Sequence, residues 1–427
     1  MSNQDKIGYW SIVAIGIGGM VGGGIFAVLG VAAQFAHGAT PLAFTIAGAV
    51  ALLTTYSYAK LSVAFPSQGG TITFLDRAFG PGLFAGSLNI LLWLSYIIML
   101  SLYAYAFGSY AAVFLPPDWQ DAGKHIFITL GIVGITALNF LGAAVIGRAE
   151  RWIVAFKIGI LLVFVAIGLW SVDPQKLQPG EWAPPLQIVA GGFIIFLAYE
   201  GFELIANAAQ DARNPRRTLP RAYYSAVLFV IALYILVAMV TVGNLSIPMI
   251  VDAKDYALAA AASPFLGNTG FTLIAIAALL STASAINATL YGAARLSYII
   301  AREGELPEVL ERRIWSKPIL GLLITTGATL LAANCLELNS IATIGSAGFL
   351  LIFSAVNIAN VILSEQTGSL RWISALGAAA CLVALSALLW QIEMQAPLKI
   401  LVLAAILGAA VGIESLYRLL RRRRIGF

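Results

Sequence analysis

The sequence predicts an all-α polytopic membrane protein, on three observations. Hydrophobic residues make up 60% of the 427 residues and charged residues 11%, whereas soluble domains average about 25% charged residues. Twelve apolar stretches are long enough to cross a hydrocarbon core of about 30 Å, for which about 20 helical residues suffice. Lysine and arginine are concentrated in every second loop between these stretches. We therefore expect twelve transmembrane helices in one domain, residues 1–427.

The twelve stretches account for most of the chain, so no separate soluble domain is expected. They lie at 9–34, 41–64, 82–115, 125–147, 150–171, 186–210, 219–244, 267–300, 318–335, 339–362, 370–391 and 397–419. The first is too long for a signal peptide and has no small-residue cleavage site after it, so it is interpreted as a retained span. The third and eighth are longer than a bilayer requires, which predicts helices that tilt or extend beyond the membrane.

The basic residues predict the orientation, because cytoplasmic loops of membrane proteins are rich in lysine and arginine. With the N terminus in the cytoplasm, 20 of the 25 basic residues fall on the cytoplasmic side, including Arg312, Arg313, Lys317 and the arginines at 421–424. Both termini are then cytoplasmic, in the plasma or inner membrane. The net charge of +5 reflects this topology and contact with anionic membrane lipid, not a nucleic-acid partner.

Side chains for catalysis or metal binding are scarce. The two cysteines, Cys335 and Cys381, fall inside spans and are explained as small apolar residues, and their number excludes a disulfide framework. The two histidines, His37 and His125, lie at membrane edges. We expect no cofactor and no metal, and an enzyme is the least favoured class because no nucleophile–base pair is visible.

The first span contains a run of glycines, GGMVGGGIFAVLG at 18–30, in which Gly22, Gly23 and Gly24 are adjacent. A glycine inside a helix costs about 0.5–1 kcal/mol relative to alanine. Backbone polar groups in a bilayer need internal partners, so the run has two explanations. Either the small residues let another helix pack close, or the helix is interrupted there.

The sixth span carries a second anomaly, two acidic residues in the segment FLAYEGFE. Glu200 and Glu203 lie mid-span on either side of Gly201. An acidic residue at the centre of a lipid-facing helix costs about 2.5–3.5 kcal/mol, so both side chains are expected to face the bundle interior or a cavity. Gly201 is then a second candidate break. The alternative is a polar pair that fixes helix packing.

The fifth span contains one lysine, Lys157, six residues beyond Arg151 at the cytoplasmic edge. Six helical residues rise about 9 Å, which is a long reach for a lysine that extends its amine to the surface. A buried ionisable residue in a membrane span indicates a functional site. The sequence therefore favours an inward-facing functional lysine over snorkelling.

The first and sixth spans occupy equivalent places, because each is the first of a block of five spans. Five spans reverse the direction of entry, which gives an inverted repeat of residues 1–175 and 176–366, followed by two spans and a basic tail at 367–427. Matching interruptions in two halves are typical of transporters with a site at the midplane. Packing alone explains one glycine cluster but not two equivalent breaks, so spans 1 and 6 are predicted to be broken.

The sequence resembles the amino acid–polyamine–organocation transporters over spans 1–10. The resemblance rests on GGGIF at 22–26, on FLAYEGFE followed by NPRRTLPRA, and on NATLYGAARLSYIIAREGELPEVL in and after the eighth span. It implies the LeuT-like 5+5 inverted repeat with two further helices, and a substrate pocket between spans 1, 3, 6, 8 and 10.

The resemblance also implies how an amino acid is bound. Its carboxylate meets free backbone N–H groups at the first break, where a half-helix N terminus suits an anion, and its ammonium meets carbonyls at both breaks. The implied substrate-binding residues are Ile15, Gly16, Met20, Gly22, Gly23, Gly24, Ile25, Phe196, Ala198, Tyr199, Glu200 and Asn287.

Three polar residues have two interpretations each. Glu200 either pairs with a cationic group of the substrate or turns away and stays protonated. Glu203 matches a glutamate of many family members and is either a proton-responsive gate or a structural link between half-helices. Asn287 either lines the pocket or bridges helices.

Lys157 matches a position at which some sodium-independent members carry a lysine. The resemblance implies that its ammonium replaces a sodium ion, against first-span carbonyls and the eighth-span hydroxyls of Ser281, Thr282 or Ser284. Burial disfavours the charged form of a lysine, so protonation can be coupled to opening and closing. Proton-linked uptake or sodium-independent exchange is favoured over sodium symport.

These features predict a secondary active amino acid transporter that works by alternating access, with an L-amino acid and a proton as partners. No ATP-binding loop is visible. A polyamine or other organic-cation carrier is the alternative that Glu200 and Glu203 favour. A sensor without transport has no need of broken helices and a buried lysine, and an ion channel lacks a visible filter or pore-lining helix.

Overall fold

A computed structural model describes residues 6–141, 143–302, 319–395 and 397–421. Within these ranges the regular elements are helices, with two isolated backbone bridges, Ile7 to Ala212 and His37 to Trp182. Several residues that the sequence analysis singled out lie outside the described residues: Arg312, Arg313, Lys317, Arg422 to Arg424 and the end of the eighth-span motif.

The long α-helices of the described chain coincide with the apolar stretches, and shorter α-helices lie between them. They are α1 (Tyr9–Met20), α2 (Gly24–Ala36), α3 (Thr40–Ala64), α4 (Thr71–Phe79), α5 (Leu83–Ala112), α6 (Gln120–Leu141), α7 (Ala143–Gly168), α8 (Pro185–Ile194), α9 (Leu204–Asn207), α10 (Pro215–Asn244), α11 (Ile247–Asp252), α12 (Ala257–Arg302), α13 (Ile319–Cys335), α14 (Leu338–Ile362), α15 (Ser364–Thr367), α16 (Arg371–Gln395) and α17 (Leu398–Arg421). A helix satisfies its backbone groups internally, as a hydrocarbon environment requires.

Ten helical segments of the described chain are long and apolar enough to cross a membrane, with α8 to α9 counted as one. The bent pair α1 and α2 makes eleven when it is counted as a single span. The helix α13 is apolar but has 17 residues. The chain is thus a polytopic helical membrane protein, whereas the predicted number of twelve spans depends on α13 and stays a prediction.

The eighth predicted stretch starts at a change in backbone direction. Within α12, Gly267 has φ 61° and ψ −159°, three residues after Pro264. Glycine adopts a positive φ readily, and other residues do so only with strain. The segment before Gly267 is therefore a separate short helix, and the long span begins where hydropathy placed it.

The centre of the molecule is formed by α5, α14 and the segment from α8 to α9. In the most apolar part of each, 78% of the residues of α5 and 89% of those of the other two are buried. The same fraction is 33% for α16 and 22% for α17, so these two helices are peripheral. Polar groups inside a membrane protein face the interior of the bundle, which places the candidate site among the central helices.

A buried polar cluster joins α16 to the centre. The Ser57 hydroxyl in α3 donates to Asn357 Oδ1 in α14 at 2.6 Å and to Ser374 Oγ in α16 at 3.2 Å. The Asn357 amide donates to Thr54 Oγ1 at 3.0 Å, and that oxygen lies 3.4 Å from Cys381 Sγ in α16. Hydrogen bonds between membrane helices add to their packing, so α16 is fixed to α3 and α14.

Candidate functional site

The first span is interrupted at its glycine run. The helix α1 ends at Met20, α2 begins at Gly24, and the two are bent by 44° relative to each other. The turn at Val21–Gly23 leaves the last carbonyls of α1 and the first N–H groups of α2 outside the helical ladder. The break predicted in the first span is present.

The same glycines let neighbouring helices approach the break. A Cβ added at Gly22 would lie 2.9 Å from Ala285 Cβ in α12. A Cβ added at Gly23 would overlap the ring of Tyr103 in α5. Both explanations of the run therefore apply, because the helix comes apart and its small residues also permit close packing.

The sixth span remains a continuous run of helical turns but changes helix type at Ile195. At this junction the Ser346 hydroxyl of α14 donates to the Ile194 carbonyl at 2.6 Å and accepts from the Leu197 N–H at 3.1 Å. The span continues from α8 through a 3-10 helix of nine residues, Ile195–Glu203, into the single turn α9. A 3-10 helix keeps backbone hydrogen bonds from i to i+3, and runs beyond about four residues are uncommon. All nine residues are buried. The predicted break at Gly201 is replaced by a tighter helix, and Ser346 bonds backbone groups at its junction with α8.

The first and sixth spans touch through their main chains. A Cβ added at Gly19 would lie 2.7 Å from the Gly201 carbonyl oxygen, and a Cβ added at Gly201 would overlap the backbone of Gly19 and Met20. Gly24 approaches Ala198 in the same way, with an added Cβ 2.8 Å from Ala198 Cα. Glycine at these positions places the 3-10 helix directly against the break.

Hydroxyl groups from other helices bind the carbonyls at the break. Ser281 in α12 donates to the Val21 carbonyl at 2.9 Å and also to that of Gly22. Tyr234 in α10 donates to the Met20 carbonyl at 2.6 Å. Side chains of α10 and α12 thereby hold the main-chain carbonyls of the break in place.

Lys157 lies against α1. Its side chain is fully buried, and Nζ donates to the Gly18 carbonyl at 3.1 Å. The amine thus points into the protein and does not snorkel to an aqueous surface. Among the hydroxyls expected beside it, Ser281 binds the break, Thr282 bonds within its own helix at 2.7 Å, and Ser284 is half-buried.

Glu203 is held by three hydroxyls. Tyr96 donates to Oε1 at 2.5 Å, and Tyr58 and Thr71 donate to Oε2 at 3.1 and 3.2 Å. These partners belong to α5, α3 and α4. The carboxyl group therefore links the sixth span to three neighbouring helices.

Glu200 has different surroundings, although it is only three residues away. It is 2% exposed, and within the described part of the chain no hydrogen bond reaches its carboxyl group. Glu203, Tyr96 and Tyr103 lie close enough to interact with it electrostatically. Burying a carboxyl group without a partner is costly, so Glu200 is a candidate for contact with a ligand.

The remaining residues of the predicted site fall into two groups. Five of them are buried around the break: Met20, Ile25, Phe196, Ala198 and Tyr199. Ile15 and Gly16 lie earlier in α1, and Gly16 packs against Ile205 in α9. Only the last four carbonyls of a helix lack an intrahelical partner, so the available acceptors lie nearer the break than Ile15 and Gly16.

Asn287 connects two helices. Its Oδ1 accepts a hydrogen bond from Asn139 Nδ2 in α6 at 2.9 Å, and the residue is half-buried. Of its two interpretations, bridging describes the contact that it makes, which joins α12 to α6.

Two tyrosines at the break were not singled out from the sequence. Tyr234 binds the Met20 carbonyl, and Tyr110 in α5 donates to the Phe26 carbonyl in α2 at 3.1 Å. The chain has 15 tyrosines, so neither position carries a signal of its own. Only the fold brings Tyr234 to a carbonyl 214 residues away.

Together the fold and the site are typical of one class of protein. An interrupted apolar helix, a buried lysine and two buried glutamates at the centre of a helical bundle are features of membrane transporters. No group of three or more histidine, cysteine, aspartate or glutamate side chains is arranged for a metal ion among the residues that the structure describes.

Comparison with known proteins identifies the family. The sequence model of the amino acid permeases matches residues 7–411. The chain is 40% identical to an uncharacterized protein of Methanocaldococcus jannaschii, over 86% of this chain and 84% of that protein. It is 38% identical to an inner membrane transport protein of Escherichia coli over 83% of each chain, and 26% identical to the methylthioribose transporter of Bacillus subtilis over 84% and 80%. The chain belongs to the amino acid permease family and is a membrane transporter, not an enzyme.

Proposed function

We propose that this permease is a secondary active transporter of L-amino acids that works by alternating access in the cell membrane. It then has twelve spans, with α13 as the ninth and both termini in the cytoplasm. Residues 1–175 and 176–366 form the two halves of a LeuT-like inverted repeat, and α16 and α17 follow it. Membership of the amino acid permease family supports the substrate class.

The observation that carries this proposal is the interruption between α1 and α2. An amino acid zwitterion needs donors for its carboxylate and acceptors for its ammonium. The start of α2 offers N–H groups at the positive end of a helix dipole, and the carbonyls of Met20, Val21 and Gly22 lie beside it. The main chain thus serves both charges, which leaves side chains to select the rest of the substrate.

Lys157 supports coupling that does not use sodium. Its amine occupies the position beside the Gly18 carbonyl, at 3.1 Å, where a metal cation would otherwise find an oxygen ligand. An ammonium group in that position repels Na⁺. Proton-coupled uptake or sodium-independent exchange is the mode that follows.

A polyamine or organic-cation carrier is the second candidate, and Glu200 favours it. Buried charges in proteins are paired, and this carboxyl group has no hydrogen-bond partner in the described part of the chain. An extra ammonium group on the substrate would supply one. A substrate of that class lacks a carboxylate, so the N–H groups of α2 would take no part in binding it.

A thermal-shift screen of the purified chain separates the two candidates. Ligands that bind the folded state raise its apparent stability by mass action. We expect neutral L-amino acids to raise the melting temperature equally in sodium chloride and in choline chloride. Stabilisation by agmatine and putrescine alone would contradict the amino acid proposal, and a strict need for sodium would contradict the role given to Lys157.

A further inference from the structure

A cleft lies beside Leu204 and Asn207 of α9. Its volume is about 150 Å³, and its walls come from α12, α9 and the loop between α3 and α4. An engineered cavity of about 150 Å³ holds benzene, so this cleft has room for a small organic molecule. It belongs to neither the break nor the Lys157 contact.

The polar lining of the cleft suits an anion. Among the described residues that form it, Arg295 is the one charged side chain, accompanied by the amides of Gln68 and Asn207 and the hydroxyl of Tyr291. Arg295 is half-buried and makes no hydrogen bond or ion pair within the described part of the chain. A guanidinium fork matches a carboxylate with two parallel hydrogen bonds. The cleft therefore offers a guanidinium group to a carboxylate.

A single side chain connects the cleft with the break. Leu204 lines the cleft, and its Cδ1 would lie 2.9 Å from a Cβ added at Gly19 in α1. Leu204 also begins α9, directly after the 3-10 helix that ends at Glu203. A movement of α9 away from α1 would join the cleft to the break.

We propose that the cleft is a second carboxylate-binding subsite, in which Arg295 receives the carboxylate of an amino acid substrate as it passes between the break and the cytoplasm, with Leu204 as the gate. The proposal rests on the proposed amino acid transport. It adds a site that is used from one face of the membrane only, so its effect on transport is asymmetric.

The experiment compares Arg295→Gln with the wild-type chain in right-side-out and inside-out vesicles from a bacterial host. We expect the KM for L-amino acid uptake into inside-out vesicles to rise about tenfold, as for the loss of one charge-assisted hydrogen bond, and the KM in right-side-out vesicles to stay unchanged. Arg295→Lys keeps the positive charge but not the forked guanidinium group. Its KM in inside-out vesicles is expected to lie between those of the wild-type chain and Arg295→Gln. Arg216→Gln removes an exposed arginine near the start of α10, outside the lining of the cleft, and is the matched control.

The results that overturn the proposal differ from those that overturn the proposed function. If Arg295→Gln changes the KM equally in both kinds of vesicle, or in neither, Arg295 does not form a subsite that is used from one face only. A decarboxylated analogue of a transported amino acid gives a second readout, since its inhibition constant should not respond to Arg295→Gln. Membrane abundance and melting temperature of both Arg295 variants exclude a folding defect. Absence of amino acid transport by the wild-type chain on either face would overturn the proposed function, and the subsite with it.

Discussion

Two buried carboxyl groups, Glu200 and Glu203, lie three residues apart and differ in their partners. Three hydroxyls donate to Glu203, and none reaches Glu200 within the described part of the chain. A buried hydroxyl that loses its acceptor costs about 1–3 kcal/mol. The two residues therefore respond differently to the same substitution, although the sequence presents them as a pair.

Glu203→Gln is expected to destabilise the protein by about 1–3 kcal/mol, because the amide keeps only one acceptor oxygen and at least one of the three hydroxyls loses its acceptor. Glu200→Gln makes the same chemical change and is expected to leave the melting temperature nearly unchanged while it alters substrate affinity. Thermal unfolding in detergent, with and without ligand, measures both effects. Equal destabilisation of the two variants would contradict the contrast in their partners.

Lys157→Ala tests the coupling role at the residue scale. The variant loses the amine at the Gly18 carbonyl, so we expect it to lose concentrative uptake into proteoliposomes with an imposed pH gradient while substrate still raises its melting temperature. Lys176→Ala is a suitable control, because Lys176 also donates to a main-chain carbonyl, that of Asn244 at 3.2 Å, but far from the break. Full accumulation by Lys157→Ala would remove the lysine from coupling.

At the scale of elements, the site depends on the contact between α1 and the 3-10 helix. Gly19 and Gly201 meet main chain to main chain, so neither partner has a flexible side chain that could move aside. The position of the break relative to the sixth span is therefore set by two residues that have no side chain.

Gly201→Ala is expected to destabilise the protein by about 1–3 kcal/mol, the usual cost of overpacking. Gly327→Ala in α13 has open space around the added methyl group, and alanine favours a helix over glycine, so this control should be neutral or stabilising. Folded yield on size exclusion and the melting temperature give the comparison. A normal melting temperature for Gly201→Ala would contradict direct contact between the backbones of α1 and the 3-10 helix.

The elements follow from local sequence much better than the contacts do. Hydropathy located the long helices, and the glycine run marked the break in the first span, whereas the kink at Gly267 was not predicted. The sequence also predicted an interruption at Gly201. Burial of that whole segment requires its backbone groups to be hydrogen-bonded, and the 3-10 helix together with Ser346 provides those bonds. Resemblance to a family pointed to Ser281, whose partner Val21 is 260 residues away, but no motif pointed to Tyr234.

At the scale of the whole molecule, the polar cluster predicts that α16 moves with α3 and α14. Ser57, Thr54, Asn357, Ser374 and Cys381 are fully buried and bonded to one another. A rocking motion that separated these helices would leave polar groups unpaired in the membrane. The three helices are therefore expected to form one rigid unit during transport.

Thr54→Cys tests this unit, because Thr54 Oγ1 already lies 3.4 Å from Cys381 Sγ. In a Cys335→Ala background, we expect oxidation to join the two cysteines and leave the transport rate of proteoliposomes unchanged. Mass spectrometry of proteolytic fragments identifies the bond, and the variant with Thr54 intact is the control. Transport that stops on oxidation and returns with a reductant would show that α3 and α16 separate during the cycle.

The hydroxyls that hold Glu203 also bear on how the chain enters the membrane. Synthesis runs from the N terminus, so Tyr58, Thr71 and Tyr96 are all made before the carboxyl group that they bind. Lys157 likewise follows its acceptor in the first span. Glu203 and Lys157 therefore emerge from the ribosome after their partners. Each can be inserted beside hydrogen-bonding groups that are already in the bilayer.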